Sequence, residues 1–190
     1  VILSEAPHEA DEMTLVVDVG TNAEIVLGKK KRLLAASSPT GPACEGAQIS
    51  CGQRAAPGAI ERIRINRDTL EPRFKVIGCD LWSDHPDFAK QTEATGVTGV
   101  CGSGIIECIA EMYLCGILTQ DGVIGGAMGA KAPRGQAEGR TFSYLLHDGT
   151  PQLRIVQNDV RAIQLAKAAL YAGARLLMDR MGVDKVDRIT

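Results

Sequence analysis

The chain has 190 residues, 45% of them hydrophobic and 23% charged, with a net charge of −2. This is an ordinary globular composition, with enough apolar surface for one sizeable core or two small ones and no sign of extended disorder. The charge balance argues against nucleic-acid binding, and no apolar run approaches the roughly 20 residues that cross a bilayer.

The opening segment from Val1 to Pro7 is apolar, then acidic, and reads as the tail of a helix that begins upstream. Thr14 to Gly20 is an apolar, β-branched run ending in Asp and Gly; Ala23 to Leu27 alternates; Lys31 to Ala36 makes a third strand. Together they predict a β-meander whose first strand is central, because it is apolar on both faces. The basic block Lys29-Lys30-Lys31-Arg32 then falls at a hairpin turn, as a solvated cluster.

Residues 37 to 58 are rich in Gly, Pro, Ala and Ser and predict a long irregular segment with one short helix around 44 to 52. Ile60 to Ile65 and Arg73 to Ile77 alternate at period two around a turn and predict a hairpin. Val100 to Glu107 leads into an apolar helix that stops near Gly116, with Ser103 or Thr98 as candidate caps. Residues 122 to 139 are glycine-rich and read as loop, followed by a second hairpin over 141–146 and 152–156. The last helix is the clearest: Asn158 as N-cap, Asp159 in the first turn, Gly182 as terminator, and Val160, Ile163, Leu170, Ala174, Leu177 and Met181 at helical spacing. A new strand begins at Val186.

Six cysteines, at 44, 51, 79, 101, 108 and 115, form no C-x-x-C pair. Three of them recur at intervals of seven, which puts them on one helical stripe, as small buried hydrophobes rather than metal ligands. Unpaired thiols suit a reducing cytoplasm. The three histidines, His8, His85 and His147, are scattered and predict surface positions.

Asp18, Gly20, Thr21, Asn22 and Glu24 form the strongest motif. A carboxylate ending a buried strand, followed by a glycine turn, lets backbone N–H groups approach a phosphate, while Asp18 could hold magnesium through water. The other reading is a plain β-turn. Gly102, Ser103 and Gly104 before a helix suit either an anion at a helix N-terminus or close packing of helix on strand. Gln164 and Lys167 lie on the long helix, as cleft residues or as a solvated face. Glu45 and Glu107 read as loop or cap carboxylates, and no catalytic residue can be picked out.

Residues 15 to 28 resemble the second phosphate motif of the actin, sugar-kinase and heat-shock-chaperone ATPase superfamily. Gly41 to Ala47, Arg54 to Glu61, Gly99 to Glu107 and Gln164 to Ala169, in that order, resemble one branch of it, the C-terminal domain of the reductive activators of corrinoid proteins. The resemblance implies an α/β fold: a ribonuclease-H-like ATPase lobe of mixed sheet and helices, with an inserted α+β subdomain. On that reading residues 1–36 start the lobe, 37–156 are inserted, and 157–190 return to it, with the lobe cut at both ends. It also implies ATP with Mg2+ as cofactor, a 2Fe–2S cluster on a separate N-terminal domain, and a corrinoid protein of a methyltransferase system as partner. Homodimerisation stays open. The activity implied is ATP-driven return of Co(II) corrinoid to Co(I). A non-catalytic docking module and an acetate- or sugar-kinase-like phosphotransferase are the alternatives. Only one of the superfamily's nucleotide motifs falls within residues 1–190, so the chain alone is expected to bind ATP weakly or not at all.

Overall fold

The computed structural model describes residues 1–125 and 133–190. In chain order the elements are α1 (Ile2–Glu5), β1 (Thr14–Val19), β2 (Ala23–Lys29), β3 (Arg32–Ser38), a 3-10 turn (Pro42–Glu45), β4 (Ala59–Ile65), β5 (Pro72–Val76), α2 (Phe88–Gln91), β6 (Gly99–Val100), α3 (Gly102–Leu114), β7 (Gly135–Glu138), β8 (Thr141–His147), β9 (Leu153–Ile155), α4 (Gln157–Met181) and β10 (Arg188–Ile189). They divide into two compact units, one of residues 1–42 and 165–190, the other of residues 43–164. Among the described residues no helix is long and apolar enough to cross a membrane.

The first unit is a four-stranded sheet in the order β10-β1-β2-β3. The expected meander is present, with β1 inside, antiparallel to β2 and parallel to β10. Side chains alternate across the pleat. Leu15, Ala23, Ile25 and Leu27 are buried in one core with Leu177 of α4, and Val17, Leu170, Ala174 and Met181 pack around them. Helix α4 ends where Gly182 turns to φ +72°, and Val183 N–H donates to the Met178 carbonyl at 3.1 Å. Together with Gly182 N–H on the Asp179 carbonyl at 3.2 Å, this satisfies two of the carbonyls that the last turn leaves open.

The second unit holds two three-stranded sheets, β5-β4-β6 and β7-β8-β9. Its core gathers Ile60, Ile63, Phe74, Val100, Ile105, Cys108, Met112, Tyr144, Leu146 and Ile155. Both predicted hairpins form. In the first, the Asn66 side-chain oxygen accepts the N–H groups of Asp68 and Thr69, both at 2.9 Å, which sets the turn. Tyr144 is fully buried and donates its hydroxyl to the Leu70 carbonyl at 2.7 Å.

Several expectations need correction. The short helix falls at Pro42–Glu45, not over 44–52, because Gly46 and Gln48 both adopt positive φ and stop it. Neither Ser103 nor Thr98 caps α3. Cys101 is the N-cap, without a side-chain cap bond, and Ser103 sits inside the first turn. Within the stretch read as loop, residues 135–138 are strand β7, paired to β8, while residues 126–132 lie outside the described part. His8 and His85 are exposed as expected, but His147 is only partly so: it stands half-buried in β8, edge-on to Phe74 at 5.7 Å, and burial holds its pKa below the usual histidine range. Helix α4 begins at Gln157, one residue before the predicted N-cap, and the capping carboxylate is that of Asp159. The spacing of seven does align three thiols along α3: Cys101 and Cys108 are buried, and Cys115 is partly so.

Candidate functional site

Strands β1 and β2 are joined by Gly20, Thr21 and Asn22, with Gly20 N–H donating to the Asn22 carbonyl at 2.9 Å. The apolar pull on the sheet stops at Val16 and Val26, which are buried; beyond them Asp18, Thr21, Asn22 and Glu24 are all exposed. Asp18 and Glu24 are direct cross-strand partners, so two carboxylates face each other on one side of the sheet. Like charges so placed repel, and a bound cation relieves that repulsion. Ser37 of β3 donates to Glu24 Oε1 at 3.1 Å and orients it. A cavity of about 400 Å³ opens beside the pair, lined by Val1, Ile2, Leu3, Val16, Asp18, Glu24 and Val26. The cavity reaches the two carboxylates, whereas Gly20, Thr21 and Asn22 are not among its lining residues.

The segment after β3 fixes this turn from behind. Thr40 Oγ1 lies 2.9 Å from the Gly20 carbonyl and 3.1 Å from that of Thr21, which also accepts Gly41 N–H at 2.9 Å. Sequence reading missed Ser37, Thr40 and Gly41. The only signal was a threonine before a Gly-Pro pair just past a strand.

Gly102, Ser103 and Gly104 belong to the other unit. A side chain on Gly102 would run into the Cys44 carbonyl, and one on Gly104 into the Ile60 carbonyl. Both glycines therefore allow the first turn of α3 to lie against backbone. A cavity of about 420 Å³ lies at this helix end, lined by Cys44, Glu45, Arg54, Ala55, Cys101, Gly102 and Ser103. Gln164 is tied down: it bonds Arg161 Nη1, and its Nε2 donates to the Asp121 carbonyl at 3.3 Å. Lys167 is exposed.

Glu107 is neither a loop nor a cap residue. Its carboxylate joins α3 to β4, accepting Ile63 N–H at 2.6 Å and the Arg64 guanidinium. Among the described residues no group of three or more His, Cys, Asp or Glu side chains is placed to hold a metal. Burial pushes the Cys51 thiol up to about 12 and the Cys108 thiol well above the usual range, which leaves both inert.

The family model described as the C-terminal domain of RACo, the ASKHA domain, matches residues 12–190. The chain belongs to this family. Its mixed sheets and helices agree with the expected α/β ATPase-type fold. A solved structure titled reductive activator for corrinoid, iron-sulfur protein superimposes with a TM-score of 0.80 at 30% identity, over 99% of this chain and 28% of that one. The corrinoid activation enzyme RamQ of Eubacterium limosum is 33% identical over 186 residues, 93% of this chain and 28% of that protein. A Methanosarcina barkeri protein named [Co(II) methylated amine-specific corrinoid protein] reductase is 53% identical over 116 residues, 56% of this chain and 21% of that protein. The chain spans less than a third of the length of each of these relatives.

Proposed function

We propose that this chain is the nucleotide-binding part of an ATP-dependent reductive activator, which returns a Co(II) corrinoid protein to the Co(I) state required for methyl transfer. The observation that carries the reading is the exposed carboxylate pair Asp18 and Glu24, which flanks the Gly20–Asn22 turn and borders a cavity, in a domain of the RACo ASKHA family. Asp18 and Glu24 offer hard oxygen donors suited to Mg2+, while the N–H groups of the glycine turn suit a polyphosphate. Magnesium, when bound with ATP, supplies positive charge against the phosphate oxygens. Asp18 and Glu24 would hold it, with Glu24 held in place by the Ser37 hydroxyl. The cluster that delivers the electron is assigned to another domain, because residues 1–190 hold no C-x4-C-x2-C ligand set and no group of three or more His, Cys, Asp or Glu side chains among the described residues is placed to hold a metal. The names of the relatives support a corrinoid protein as the docking partner.

The test uses the complete activator with its corrinoid protein and a chemical reductant. Asp18→Asn is expected to abolish ATP hydrolysis and, with it, the ATP-dependent growth of the Co(I) absorption spectrum. Undiminished Co(I) formation by this variant would overturn the reading. Co(I) formation that needs the domain but not ATP would favour a docking module instead.

A further inference from the structure

We propose that Thr40 is a positioning residue for the phosphate turn: its hydroxyl locks the peptide planes that aim the Thr21 and Asn22 amides. This rests on reading residues 18–24 as the nucleotide-phosphate site. Thr40 is buried at 6% exposure, and its hydroxyl reaches two consecutive carbonyls, those of Gly20 and Thr21. A hydroxyl carries one proton, so it cannot fully serve both. The second donor is Gly41 N–H, on the Thr21 carbonyl. Gly41 adopts φ +75°, a conformation that side-chain-bearing residues rarely take, and this bend brings its N–H onto that oxygen.

Two successive carbonyls are therefore drawn toward one point. In a planar trans peptide the C=O and the following N–H point in opposite directions. The amides of Thr21 and Asn22 are consequently turned away from Thr40. Adjacent amides aimed to one side form the concavity that receives an anion. Rotation of either plane would replace a donor with a carbonyl oxygen and repel phosphate. The lock thus acts on binding without touching the ligand.

The experiment compares wild type, Thr40→Val and Thr40→Ser in the complete activator, by Mg–ATP calorimetry and steady-state hydrolysis. Valine keeps the shape and removes the proton, whereas serine retains it. Loss of one buried hydrogen bond predicts about tenfold weaker ATP binding and an about tenfold higher KM for T40V, with kcat within about twofold and T40S close to wild type. A residue that only supports the fold would lower the melting temperature and kcat and leave KM alone; that outcome, or equal ATP affinity of T40V and wild type, overturns the lock. Absence of Mg–ATP binding by the wild type overturns the site reading itself. Amide hydrogen exchange on the wild type serves where T40V does not fold. Mg–ATP should slow exchange of the peptide covering residues 20–22, and bound ATP without that protection also overturns the proposal.

Discussion

Glu107 Oε2 accepts the backbone N–H of Ile63 at 2.6 Å, so a helix side chain does what a neighbouring strand would otherwise do. Strand β4 is paired on one side by β5, but on the other side β6 covers only Ala59 and Ile60. Beyond that point the outward N–H groups of Ile63 and Ile65 go to Glu107 and Glu111, one helical turn apart on α3. Arg64 bonds Glu107 as well. Replacing Glu107 by Ala leaves the part-buried Ile63 N–H without its acceptor and takes from Arg64 its nearest carboxylate, and should destabilise the protein by about 1–3 kcal/mol in a denaturant titration. Glu107→Gln, which keeps one acceptor, should cost less.

The same carboxylate carries a pH dependence. Burial alone would raise the Glu107 pKa, but the Arg64 hydrogen bond, the Ile63 N–H, and the charges of Arg64 and Arg62 together bring it below the usual range. A pKa lower in the folded state contributes stability that is present above the unfolded value, about 4.3 for Glu, and is lost as pH falls through the folded value. Thermal melts from pH 7 to pH 3 should therefore show wild type losing its advantage over Glu107→Gln below about pH 4.3. A constant difference between the two across that range would refute this assignment.

Gly104 separates two explanations of the Gly-Ser-Gly start of α3. In a helix, Ala for Gly ordinarily gains about 1 kcal/mol. Here the new methyl meets the Ile60 carbonyl, which is strand backbone and cannot turn aside, and Val100 Cγ1 at 2.9 Å. Overpacking of about 1–3 kcal/mol should exceed the propensity gain. Gly104→Ala is thus expected to lower the melting temperature, an effect that packing requires and an anion site alone does not.

These cases show which parts of the structure the sequence made legible. Strands β1 to β5, α3, α4 and the hairpin turn at Asn66 follow from local signals: alternation, helical spacing and a side chain bonding its own turn. Asp18 to Glu24 was legible as a candidate site because its residues are contiguous. What escaped were bonds between residues far apart in the chain. Glu107 finds Ile63 across 44 positions, and Thr40 finds Gly20 across 20. Strand β7 was hidden because Gly135 to Glu138 is short and mostly exposed, so no apolar alternation marks it.

Asp159 shows how a residue legible in type can exceed its expected role. Placed in the first turn of α4, it favours the positive end of the helix dipole. It is only 1% exposed and also accepts Ser50 N–H at 2.8 Å, Ser50 Oγ at 3.0 Å and Val156 N–H at 2.9 Å. Its two oxygens thus join the 46–52 segment to the start of α4. In Asp159→Asn one oxygen becomes an NH2 that faces a donor. The expected loss is about 2–3 kcal/mol, measured by denaturant titration. Ser50→Ala, which removes one of the donors, should cost less than half of that.

The cross-strand pair of Asp18 and Glu24 yields a prediction of opposite sign. Both are exposed, their Cα positions are directly paired, and neither has an ion-pair partner among the described residues. Repulsion between directly opposed like charges destabilises a sheet by a few tenths to about 1 kcal/mol. Asp18→Asn should therefore raise the melting temperature of the nucleotide-free activator slightly. Mg–ATP should stabilise wild type by mass action and leave Asp18→Asn nearly unmoved. At saturating nucleotide the order of melting temperatures should then invert. A turn built only to end a strand would show the first effect without the second.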